Sequence, residues 1–295
     1  LLETDYSAFE SCFSPMYMEV VELQMLRYML SRNPRVLSAI ERVYYCNGRP
    51  RVNVMYNRSY VCRCLGSRMS GEMWTSLGNG FSNLMNILFL CSRRGIKVRG
   101  YVEGDDGLFA LSSRNLCEED FAELGFKIKM NYGLDLAHTS FCGNVFVPGE
   151  NHIIVAPENI ARLFWTCSSQ YVHAKPKVLI KLLRAKALSG ICVGRYTPIF
   201  GCLCSRVLRL LGHGSVIIDP QRKWWFRHIV TLSESLYDVV PSVSMESRLL
   251  YADKYNIPVD DQLALEKYIG SVNRLTDLCL CYSFLDTSNV AGLHF

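Results

Sequence analysis

No stretch of this 295-residue sequence reaches the roughly 18 consecutive apolar residues that a membrane-spanning helix needs, so no transmembrane segment is expected. It also lacks internal repeats and low-complexity segments, which excludes solenoids and disordered linker proteins. Neither charge sign dominates: 32 Lys and Arg stand against 27 Asp and Glu, and the net +5 suits a polyanionic partner without requiring one. Cysteine is plentiful at 13, but zinc-knuckle spacing is missing. Cys62/Cys64, Cys202/Cys204 and Cys279/Cys281 are Cys-x-Cys pairs, and no His stands at a matching interval. Reduced cytosolic thiols are therefore preferred to a structural zinc. The chain opens Leu1-Leu2-Glu3, with neither an initiator Met nor a signal-peptide pattern, and reads as a piece of a longer protein. At 49% apolar residues it can bury a sizeable core and form more than one unit.

What the sequence does carry is centred on Val98 to Leu111, two apolar runs separated by Gly104-Asp105-Asp106-Gly107. Asp106-Gly107 is expected to supply the positive φ of a tight hairpin, which puts two adjacent carboxylates at its tip. Unpaired, such charges raise each other's pKa and cost stability. A divalent cation reverses that cost.

Upstream, Leu1 to Phe9 reads as a strand delivering Asp5, with Glu10 just beyond, and Val20 to Leu30 as a helix. Arg42 to Cys46 and Arg51 to Met55 read as strands around an Asn47-Gly48 turn. Arg49 to Arg68 is the most basic stretch, a solvated face or a ligand-facing one. Ser70 is a candidate N-cap for a helix to about Cys91, with Met73, Leu77, Leu84, Met85 and Leu88 turned to the core. Thr75 and Asn79 share one face of it, as satisfied polar groups or as readers of a ligand hydroxyl.

Downstream, Glu118 to Leu124 predicts a short helix ending at Gly125. Phe126 to Met130 alternates as a strand sending Lys127 and Lys129 to one face. Thr139 to Asn144 reads as a hairpin turn continued by Phe146 and Val147, and Pro148-Gly149-Glu150-Asn151 as a domain boundary. Beyond it the pattern is mostly helical, including a helix from Pro176 to Gly190. Lys177, Lys181 and Arg184 form a stripe on that helix, able to track a phosphate backbone or merely to face solvent. Arg222 to Arg227 mixes charge with aromatics, which helix packing explains equally well.

Taken in order, these pieces resemble the palm of the RNA-dependent RNA polymerases of positive-strand RNA viruses. Asp5 with Glu10 looks like motif A, Ser70 to Asn79 motif B, Glu103 to Gly107 motif C, Phe126 to Met130 motif D, and Ser140 to Gly143 motif E. Met69 to Met73 and Phe141-Cys142-Gly143 are most similar to the tombusvirus and nodavirus-like branch. The resemblance spans residues 1 to about 147. It implies an α+β fold: a palm over 1–148, an antiparallel sheet packed on helices with a partial fingers insertion at about 31–68, then a mainly α-helical thumb over 149–295.

The implied activity is template-directed RNA synthesis from ribonucleoside triphosphates by two-metal nucleotidyl transfer. Asp5, Asp105 and Asp106 would ligate Mg²⁺ or Mn²⁺. A motif D lysine would protonate pyrophosphate; Lys129 is favoured over Lys127, although the strand pattern does not separate them. Glu10, Ser70, Gly71, Thr75 and Asn79 would select the ribose, and Lys177, Lys181 and Arg184 would contact RNA. Implied partners are template and product RNA, nucleotides, and an upstream fingers region or other replicase components. The implied setting is a membrane-associated replication complex in the host cytoplasm.

Two departures stand out. Glu10 occupies a position where the family has Asp, which keeps acceptor chemistry but moves the carboxylate by roughly one bond length. The basic fingers segment that precedes motif A in the family is missing, so the chain alone is expected to polymerise poorly or not at all. Rival readings are a reverse-transcriptase-like palm, which needs no ribose-hydroxyl reader, and a non-catalytic RNA-binding fragment. A metal-dependent nuclease ranks third, for want of a base for a hydrolytic water.

Overall fold

Apolar and polar residues alternate along Leu2-Glu3-Thr4-Asp5-Tyr6, so a strand there must have one wet face. In the computed structural model, Leu2, Thr4 and Tyr6 are buried and Asp5 is exposed. The structure describes residues 1–46, 49–50, 52–57, 59–69, 74–164, 174–217 and 236–278. The chain forms two compact units, Leu1–Asp135 with Thr139–Cys142, and Leu136–His138 with Gly143–Phe295.

The first unit begins with β1 (Leu2–Tyr6), a 3₁₀ turn (Phe9–Cys12), α1 (Pro15–Tyr17), a π-helical turn (Met18–Glu22), α2 (Leu23–Met29) and α3 (Pro34–Tyr44). Two hairpins follow, β2 (Tyr45–Cys46) with β3 (Arg49–Pro50) and β4 (Val52–Asn57) with β5 (Tyr60–Leu65). Then come α4 (Thr75–Arg93), β6 (Val98–Glu103), β7 (Asp106–Leu111), α5 (Glu118–Ala122) and β8 (Ile128–Tyr132). The central sheet is antiparallel, in the order β6-β7-β1-β8, and α4 and α5 pack on it. Tyr6, Phe9, Phe13, Tyr17, Phe121 and Phe126 make its aromatic core, mostly by edge-to-face contacts.

Two expectations are corrected here. Arg42 to Tyr44 is not strand but the end of α3, whose first residue, Pro34, suits a helix start; the Asn47-Gly48 turn lies outside the described residues. Of the residues of α4 expected to face the core, Leu84 does pack against it, but Leu77 and Leu88 do not. Leu77 and Leu88 are 49% and 39% exposed, whereas Asn79, Ser82, Asn83 and Asn86 are buried beside Ile87 and Leu90.

A buried ion pair ties the segment before α4 to the helical run after β1. Arg68 donates to Glu22, with both side chains fully enclosed, and its guanidinium lies 5.0 Å from the centre of the Phe13 ring.

The second unit holds the hairpin β9 (Asn144–Phe146) and β10 (Ile153–Val155), then α6 (Glu158–Phe164), α7 (Pro176–Gly194), α8 (Phe200–Leu211), α9 (Met245–Tyr255), α10 (Val259–Ser271) and α11 (Leu275–Leu278). Pro148 to Asn151 thus falls in the turn joining two paired strands. Helix α7 runs past Gly190 to Gly194, because that end packs against α8. Ile154, Ala187, Leu188, Ile191, Leu203, Val207 and Tyr251 centre the core of this unit. Among the described residues, no helix is long and apolar enough to cross a membrane.

Candidate active site

The acidic tip is a two-residue turn. Glu103 pairs with Asp106, leaving Gly104 and Asp105 as the loop. Gly104 has φ +59°, and Asp105, Asp106 and Gly107 do not have positive φ. Positive φ at the first loop position alone is the pattern of a type II′ rather than a type I′ turn. The expectation that Asp106-Gly107 supplies it is therefore corrected. Gly107 serves close packing instead: a Cβ there would come within 2.5 Å of Thr4 Oγ1 and of the Phe109 ring. Thr4 is its register partner, so any side chain would wedge β7 away from β1.

That packing sets the carboxylates of both strands near enough for their charges to act on one another. Asp5 follows the residue paired with Gly107, and Asp106 precedes Gly107. Asp105 has its pKa raised by partial burial and then by the charges of Asp5 and Glu10, against a lowering hydrogen bond from its own backbone. Asp106 is raised by partial burial, then by Asp105, and further by Asp5 and Glu3, while the Cys142 thiol donates to it and opposes the rise. The Cys142 thiol is itself pushed up to about 11, by desolvation and then by the Asp106 charge. Among the described residues, no three Asp, Glu, His or Cys side chains close on a common point that could hold an ion. The donors are nonetheless hard carboxylate oxygens whose charges oppose one another, the set a hard divalent cation takes. The residues fit such an ion in chemistry, with the carboxylates standing apart.

Helix α4 supplies the next layer through a stripe of asparagines at helical spacing. Asn79 Nδ2 donates to Glu10 Oε1 at 3.4 Å, and its own Oδ1 is buried with no hydrogen-bond partner among the described residues. Asn83 Nδ2 lies within hydrogen-bond distance of three successive carbonyls, those of Gly104, Asp105 and Asp106. Asn86 accepts from Tyr17 Oη at 2.7 Å and donates to Tyr6 Oη at 3.3 Å. Burial raises the pKa of both phenols, which keeps both neutral, Tyr17 donating to Asn86 and Tyr6 accepting from it. Glu3 anchors the other flank, accepting from the backbone and hydroxyl of Ser140 and from Asn131.

A family profile described as viral RNA-dependent RNA polymerase matches residues 1–193. The chain belongs to this family. It is accordingly an RNA-directed RNA polymerase, a nucleotidyltransferase whose substrates are RNA and nucleotides, and the family works with divalent metal ions. A comparison with curated proteins gave no match.

On this polymerase the remaining sequence candidates fall as follows. Lys129 is the direct register partner of Asp5, whereas Lys127 precedes β8 and its carbonyl accepts from Ser7 N. Thr75 is the first residue of α4, and its hydroxyl donates to Met69 O at 3.1 Å. Ser70 and Gly71 lie outside the described residues, as does Met73. Trp74, not Ser70, stands at the N-cap.

Lys177 is exposed and Lys181 half-buried on α7, but Arg184 leaves their stripe. It is buried, and its guanidinium donates to the carbonyls of Leu211, Gly212 and Ser215 at 2.7–3.1 Å. Arg184 therefore caps the C-terminal end of α8, satisfying carbonyls the helix leaves open. Its guanidinium is thus turned to protein carbonyls, not to solvent with Lys177 and Lys181.

Sequence reasoning missed Asn83, Asn86 and Glu3. The spacing of Asn79, Asn83 and Asn86 was a visible signal, but the leucines of α4 read as its core face.

Proposed function

We propose that the first unit is the palm of a positive-strand RNA virus replicase, with residues 31–68 as part of its fingers and the second unit as its thumb. In this reading β1 and the Gly104–Gly107 turn form the nucleotidyl-transfer site. The observation that carries it is the pairing of β1 with β7 beside Asp5 and Asp106, across which the charges of Asp5, Asp105 and Asp106 act on one another. Met69 to Met73 and Phe141-Cys142-Gly143 favour the tombusvirus and nodavirus-like branch.

Asp5, Asp105 and Asp106 are the residues that would hold Mg²⁺ or Mn²⁺. Two such ions, when bound, supply Lewis-acid activation of the 3′-hydroxyl and neutralise charge on the leaving pyrophosphate. Lys129, beside Asp5, donates a proton to that pyrophosphate. Glu10, held by Asn79, accepts from the ribose 2′-hydroxyl, and Ser70, Gly71 and Thr75 complete the sugar site. A site built around that hydroxyl rejects the deoxy sugar because its own polar groups would be left unpaired. Lys177 and Lys181 bear on the RNA backbone.

Primer extension with ribo- and deoxynucleotides tests the reading, using a polymerase-competent polypeptide that contains this chain. Ribonucleotides are expected to be preferred, and Asp105→Asn is expected to lower the rate at least 10²-fold. A preference for deoxynucleotides would favour a reverse-transcriptase-like enzyme. An unaffected Asp105→Asn variant would leave only an RNA-binding module.

A further inference from the structure

We propose that Asn83 is a positioning residue for the acidic turn: its amide gathers the carbonyls of Gly104, Asp105 and Asp106, and so sets where the two carboxylates stand. The inference rests on the polymerase reading of that turn. The distances are 3.3 Å to Gly104 O, 3.1 Å to Asp105 O and 3.0 Å to Asp106 O. A side-chain amide carries two N–H hydrogens, so three acceptors share two donors. Three successive carbonyls can converge on one nitrogen only if the backbone curls around it, and the positive φ of Gly104 allows that curl.

The placement of Asn83 has no other evident purpose. It is 1% exposed on a helix face that also buries Ile87 and Leu90, where an apolar side chain would pack with better helix propensity. Burying an amide there costs free energy unless its hydrogen bonds are made, and the partners of its N–H groups are the turn carbonyls. Without a cation, the like charges of Asp105, Asp106 and Asp5 favour a wider tip. A donor fixed on a 19-residue helix opposes that drift from behind, without touching the carboxylates. No other residue of that size does this. Asp would set an anion against three carbonyl oxygens, Ser offers one donor, and Leu offers none.

The test reads metal binding directly, independently of polymerisation. Mn²⁺ is titrated into the folded chain while free Mn²⁺ is followed by electron paramagnetic resonance, for wild type, Asn83→Leu, Asn83→Ser and Asp105→Asn. Amide exchange at residues 104–107 and along α4 is measured in parallel. Asn83→Leu is expected to weaken Mn²⁺ binding about tenfold or more, with faster exchange in the turn and unchanged protection in α4. Asn83→Ser should fall between Leu and wild type.

Unchanged Mn²⁺ affinity in a folded Asn83→Leu protein would overturn the proposal. If the leucine variant fails to fold, unchanged affinity in Asn83→Ser overturns it equally. The Asp105→Asn variant separates the two levels. If it loses Mn²⁺ while both Asn83 variants keep it, only the role of Asn83 falls. If it binds as wild type does, the reading of the turn as the metal-holding site falls, and this inference with it.

Discussion

Asp5 and Lys129 are direct cross-strand partners in the β1–β8 ladder. Such partners project from the same face with Cβ atoms about 5 Å apart, so this lysine travels with the aspartate whatever the rest of the sheet does. Lys127, beside Ser7, lies two positions further along, just past the end of the ladder. Lys129→Leu is expected to slow single-nucleotide incorporation about 10²-fold. Lys127→Leu should stay within about threefold. A reversed order would move the proton-donor role to Lys127.

Glu10 reaches Asn79 at 3.4 Å, near the limit of a hydrogen bond. Shortening it to the aspartate common in the family would draw the carboxylate back from an asparagine whose position α4 fixes. Glu10→Asp is therefore expected to lower ribo-over-deoxy selectivity several-fold, by about 1 kcal/mol, rather than to improve it. Competition between matched nucleotides in primer extension measures this directly. Improved selectivity would mean that the spacing of α4 is not tuned to glutamate.

Arg184 and the two lysines of α7 should separate cleanly. Arg184→Leu leaves buried carbonyls unpaired and is expected to cost about 3 kcal/mol of stability, seen as a lower denaturant midpoint. Lys177→Ala and Lys181→Ala should leave that midpoint unmoved. Each is instead expected to reduce the salt dependence of RNA binding by about 0.7–0.9 in log–log slope. A stable Arg184→Leu protein with a reduced slope would reverse the assignment.

The raised pKa values of Asp105 and Asp106 carry a sign for stability. Their folded-state pKa values lie above the ordinary range, so between the unfolded and folded values the native chain binds more protons. Metal-free stability should therefore fall as pH rises through that window, and the deficit should persist at neutral pH. Asp105→Asn removes one of the charges, so it is expected to be more stable than wild type at pH 7. The advantage should vanish below the ordinary aspartate range. Thermal unfolding in the presence of a chelator checks both, and a less stable variant at pH 7 would contradict a carboxylate destabilised by burial and by its neighbours' charges.

Much of the site was readable because its pieces are local. The alternation in β1, the apolar arms around Gly104 to Gly107 and the approach of Lys129 to a strand each depend on a few neighbouring residues. The leucines of α4 misled because helical periodicity says that a face is buried, not which one. Here the buried face mixes Ile87 and Leu90 with asparagines, since Glu10, the turn carbonyls and two phenols supply partners for the amides. Arg184 misled for the same reason: charge suggests solvent unless buried carbonyls need its donors, and three at and just beyond the end of α8 do.

By itself, then, the sequence determined that an α+β fold would carry an acidic turn between two apolar strands, in the motif order of a viral polymerase. Only the tertiary structure decided that Gly104 rather than Gly107 makes the turn, that Asn83 stands behind it, and that Arg184 caps the end of α8. The physical reason is range. Strands and turns follow from backbone preference over a few residues, whereas the partner of a buried amide or guanidinium is whichever distant carbonyl the packing delivers.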